Sequence, residues 1–87
     1  MTDPVLGQLR QQISEIDRSI IDAFNRRLEV VAQIKRHKDE HGIEFVDPDR
    51  EATMLEYQTN ENRGPLTNEG LRALYAELLA LTKREVG

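Results

Sequence analysis

Two cations stand where a solvated helix face would not put them. On a wheel at 100° per residue, Arg27 projects among Ile13, Ile16 and Ile20, and Lys38 coincides with Ile20. They lie eleven residues apart on one apolar face. A cation turned inward is costly unless an anion or a hydrogen-bond acceptor meets it. One reading is structural: the long side chains snorkel, or they pair with Asp17 or Glu85. The other is chemical: two inward cations await a small polyanion. Arg50 supports the second reading. It sits in the first turn of a later helix, with Met54 and Tyr57 on the same face, which is expected to turn toward the core, although Glu51 and Glu61 are available as its partners. Glu51 could accept a ligand hydroxyl or simply face the helix dipole. Thr82 falls on the apolar face of a third helix, where a hydroxyl often bonds the backbone one turn back.

The segments that carry these residues all read as helices, so the fold expected is all-α, three helices with one very long. Asp3 and Pro4 form an N-cap with Pro at the first helical position. From Gln8 to His41 no Gly or Pro intervenes. Leu6, Leu9, Ile13, Ile16, Ile20, Phe24, Leu28, Val31 and Ile34 form one stripe, which Gly42 ends. A second helix opens at Asp47-Pro48-Asp49 and runs to about Asn60, before the break at Asn62-Arg63-Gly64-Pro65. A third starts near Thr67 or Asn68 and aligns Leu71, Leu74, Tyr75, Leu78, Leu79 and Thr82. Glu44-Phe45-Val46, the one β-like triplet, reads as linker.

Eighty-seven residues make one domain, 1–87, and a chain this short buries only about 60–65% of its unfolded surface. The first helix, about 54 Å long, overhangs any compact monomer, whose radius of gyration would be about 12 Å. A second copy is the simplest cover for its stripe, so an intertwined or antiparallel homodimer is expected, with a higher oligomer or a hetero-partner as the alternative. Arg10 lies on the flank of the stripe, 17 residues from Arg27 and about 25 Å away along the axis. The two can meet one small ligand only if Arg10 arrives from an antiparallel partner helix.

Composition narrows the classes. No Cys means no disulfide, thiol nucleophile or Cys-ligated metal, and two His make a His-rich metal site a poor expectation. A net charge of −4 argues against nucleic acid as the main partner. No apolar run approaches the ~20 residues of a membrane span and no signal-peptide pattern opens the chain, so no membrane role and a cytoplasmic location are expected.

Leu9-Arg10 with Ile13 and Asp17, then Asn25-Arg26-Arg27, Ala32, Ile34, Lys38 and Asp47-Pro48-Asp49-Arg50-Glu51, resemble the all-helical (AroQ-type) chorismate mutases. Gly64-Pro65-Leu66 and Leu74-Tyr75-Ala76-Glu77-Leu78 resemble versions found free or fused to the first enzyme of the shikimate pathway. The likeness covers nearly the whole chain. It implies an interlocked dimer that rearranges chorismate to prephenate, at the branch toward phenylalanine and tyrosine, with no cofactor and no metal.

The resemblance also implies roles. Arg27 and the partner chain's Arg10 would clamp the two substrate carboxylates. Lys38 would donate to the breaking ether oxygen, which makes Lys38 and Arg27 the catalytic pair. Glu51 and the backbone near Asp47 would hold the ring hydroxyl, Arg50 would support the anion field, and Thr82 matches a family Ser. One position departs: the family has Gln or Glu four residues after that Ser, as a second donor to the ether oxygen, whereas Val86 stands here. A weak mutase is therefore expected, or one completed by an activating partner enzyme of the same pathway. Two other readings share these residues: an isochorismate-pyruvate lyase or amino-chorismate mutase on the same fold, and a non-catalytic dimeric regulatory module of the aromatic pathway.

Overall fold

A computed structural model describes residues 3–87, and it holds three helices: α1 (Pro4–Glu40), α2 (Pro48–Glu61) and α3 (Asn68–Val86). Each begins where a short polar side chain satisfies the first free N–H groups. The Asp3 carboxylate accepts from the Val5 and Leu6 amides at 2.9 and 3.2 Å. Asp47 accepts from the Arg50 amide at 3.1 Å, and the Thr67 hydroxyl from Gly70 at 3.0 Å.

The end of α1 is equally local. Gly42 adopts φ +66°, which lets the Ile43 amide turn back and donate to the Lys38 carbonyl at 2.8 Å. Only a residue without Cβ takes that left-handed position cheaply. The chain then crosses to α2 through Phe45, whose ring lies 5.9 Å from the Lys35 ammonium. Between α2 and α3, Asn62 pins the loop by donating to the Leu66 carbonyl and to Asn68 Oδ1, at 2.8 and 3.1 Å.

The third helix is the hub: it packs on α1 and on α2. It covers only the C-terminal half of α1. The chain is correspondingly elongated, 61 × 24 × 18 Å, with a radius of gyration of 17.0 Å against the ~12 Å of a compact chain this long. Among the described residues Thr82 alone is buried, at 5% exposure. Along the uncovered half of α1, Ile13 and Ile20 remain 58% and 60% exposed.

One expectation needs correction. Tyr57 does not turn inward with Met54; it is 56% exposed. Because α2 rests on α3, its half-buried face is carried by Glu51, Met54, Leu55 and Thr59, and that rotation leaves Tyr57 on the open edge.

Candidate active site

Among the described residues the three helices line one substantial cavity, about 600 Å³ and partly open to solvent. Its apolar walls come from Val30, Val31 and Ile34 of α1, Met54 of α2, and Leu71 to Leu79 of α3. Its polar side chains are Arg27 and Lys38 from α1, Asp47 from the linker, Arg50, Glu51 and Gln58 from α2, and Thr82 and Lys83 from α3, with the Phe45 carbonyl beside Lys38. Four cationic side chains face two carboxylates there, a surplus of two positive charges in a chain whose net charge is −4. An apolar wall lowers the local dielectric and makes that surplus a stronger attractor for an anion than it would be on an open surface.

The two inward cations are held by neutral oxygens. Arg27 Nη1 donates to Thr82 Oγ1 at 2.7 Å, and Thr82 in turn donates to the Leu78 carbonyl at 2.6 Å. That chain of bonds fixes one fork of the guanidinium and leaves its remaining N–H groups free for the cavity. Lys38 Nζ donates to the Phe45 carbonyl at 3.1 Å, also with donors to spare. Among the described residues neither cation pairs with a carboxylate; Asp17 and Glu85 are not their partners. Arg27 and Lys38 start about 16 Å apart along α1, but both side chains are long enough to converge on the space between them.

Thr82 bonds the backbone one turn back, the structural alternative the sequence offered, and its oxygen also accepts from Arg27, a contact the sequence did not indicate. Asp47 spends its carboxylate as the α2 N-cap, and its carbonyl accepts from the Glu51 amide at 3.0 Å. Arg50 reaches the cavity rim as an exposed side chain and pairs with neither Glu51 nor Glu61. Glu51 is half-buried, and its partner is Lys83, whose Nζ lies 2.9 Å from Glu51 Oε1.

Two expected residues are not brought to this cavity within one chain. Arg10 is exposed on the uncovered half of α1, and Val86 is the last residue of α3, off the cavity lining. Conversely, the sequence reading missed Lys83. The signal was available: Lys83 follows Thr82 directly and lies four residues after Leu79 and eight after Tyr75, which puts it at the edge of the α3 stripe.

Fold and site together define an all-helical domain with a cationic, apolar-walled cavity. The chorismate mutase type II family model matches residues 9–86. The chain is 41% identical over 51 residues to the T-protein of Haemophilus influenzae, which covers 59% of this chain. It is 31% identical over 81 residues, 86% of its length, to a bifunctional chorismate mutase/prephenate dehydratase of Stutzerimonas stutzeri. The solved chorismate mutase (form II) of Thermus thermophilus superposes with a TM-score of 0.88 at 33% identity, covering 91% of this chain and 90% of that one. The chain therefore belongs to the chorismate mutase type II family. It spans only 14% and 22% of the length of those two curated relatives.

Proposed function

We propose that this chain is a chorismate mutase, an isomerase acting in the cytoplasm on the route to phenylalanine and tyrosine. The carrying observation is that Arg27 and Lys38 line one apolar-walled cavity and, among the described residues, are met only by uncharged oxygens. Such cations are poised for a ligand that brings its own negative charge.

The rearrangement fits that equipment. In chorismate an ether C–O bond breaks while a C–C bond forms within the same molecule, with no proton exchanged. The protein has to hold the reactive conformer and stabilise negative charge that builds on the ether oxygen. Arg27, already locked by Thr82, suits a planar carboxylate. The Lys38 ammonium can follow the ether oxygen as its charge grows. Glu51 accepts from the ring hydroxyl, beside the Asp47 backbone, and Arg50 adds to the field at the rim.

The second carboxylate needs a further clamp, and Arg10 supplies it from an antiparallel copy. Two observations support this: Arg10 is remote from its own chain's cavity, and the apolar stripe around it is uncovered. Val86 provides no donor to the ether oxygen, so turnover is slow unless another enzyme of the same pathway completes the site. Following chorismate loss by absorbance tests the reading. The unchanged chain should consume chorismate and accumulate prephenate, and replacing Lys38 should remove most of that activity.

A further inference from the structure

The cavity holds one charged pair, Glu51 with Lys83, and it bridges α2 to α3 across the mouth of the site. The Lys83 ammonium takes Oε1 at 2.9 Å, and among the described residues no donor reaches Oε2 of this cavity-lining carboxylate. The pair is partly exposed, with side-chain exposures of 29% for Glu51 and 43% for Lys83. A partly exposed ion pair contributes little to stability. Its geometric effect is larger: a Glu side chain has three rotatable bonds, and pinning one oxygen restricts where the other points.

We infer that Lys83 is a positioning residue, which holds Glu51 so that its second carboxylate oxygen receives the substrate's ring hydroxyl. This rests on the chorismate mutase reading. The Lys83 ammonium works through Glu51. The hydroxyl contact persists from bound substrate to transition state, so the effect falls on binding more than on the chemical step.

The experiment is a double-substitution cycle on the full chain, Lys83→Met, Lys83→Arg, Glu51→Gln and Lys83→Met with Glu51→Gln, assayed with chorismate. Lys83→Met should raise KM about tenfold with kcat within about twofold of the unchanged chain, and Lys83→Arg should recover most of the loss. In the Glu51→Gln background, Lys83→Met should shift KM by less than about twofold, because nothing remains to position. As a competitor, a chorismate analogue lacking the ring hydroxyl should bind the unchanged chain and Lys83→Met within about twofold of each other. An unchanged KM in Lys83→Met, even with a lowered melting temperature, would show a mere tether between helices and overturn the inference. So would a KM rise of equal size in the Glu51→Gln background, which would mean direct contact between Lys83 and substrate. If the unsubstituted chain leaves chorismate intact, the mutase reading falls and takes this inference with it; normal turnover with either of the other two results removes Lys83 alone.

Discussion

The two halves of α1 carry the same stripe and meet opposite fates. From Arg27 to Lys38 the helix lies against α3 and the Phe45 linker, Arg27 and Lys38 are hydrogen-bonded, and Leu28, Val31 and Ala32 are half-buried. From Val5 to Ile21 the periodicity is just as regular, yet every apolar side chain is exposed. Apolar patterning alone therefore does not distinguish a surface that folds against its own chain from one that does not. The difference is one of length: α2 and α3, at 14 and 19 residues, cannot pave a helix of 37. The covered half makes a cavity, and the uncovered half presents Arg10 beside a row of isoleucines, the surface a second copy would cover.

The largest effect belongs to the covered half. Lys38→Ala should lower kcat by about 10²–10³-fold, the usual cost of losing one donor to a developing oxyanion, measured as the rate of chorismate loss. Loss of a Lys that only capped the Phe45 carbonyl would instead lower the melting temperature and spare kcat.

The uncovered half comes next. Ile16→Asp should leave a monomer in sedimentation and lower kcat/KM by about 30–100-fold, because a charged hydrogen-bonding clamp is removed with the partner. A dimer of unchanged affinity would show that some other surface joins the copies. A finer test mixes Arg10→Ala with Lys38→Ala after joint refolding. Each mixed dimer holds one intact site if Arg10 crosses over, so activity should return to about a quarter of the unsubstituted level. No recovery would mean that Arg10 does not cross to the partner's site.

Smaller changes sharpen the edge of the cavity. Val86→Gln should raise turnover about tenfold, part of the 10²–10³-fold that a well-aimed donor supplies, and an unchanged rate would show that Val86 is not where the second donor is missing. Thr82→Val frees the Arg27 fork and should lower kcat/KM about five- to tenfold, with Thr82→Ser near the original value, in keeping with one hydrogen bond to a charged group.

Much of the fold was legible because its signals are short-range. Asp3, Asp47 and Thr67 cap the helices they precede, and Gly42 ends the first through a turn that needs only six consecutive residues. The inward cations were legible for a related reason: a charge inside a 3.6-residue stripe stands out against its neighbours. The resemblance then gave each of them a role. Tyr57 misled because a wheel has no absolute orientation; which edge of α2 is covered depends on where α3 rests.

From its linear order alone the chain determined three capped helices, an α1 too long for its companions, and the positions of Arg27, Lys38, Arg50, Glu51 and Thr82. Only tertiary structure decided that Arg27 leans on a hydroxyl 55 positions away, and that Lys83 answers Glu51 across the cavity mouth. Capping and periodicity act within a turn or two of the backbone, whereas partners such as these depend on how whole helices rotate and slide when they pack, which no local window of residues encodes.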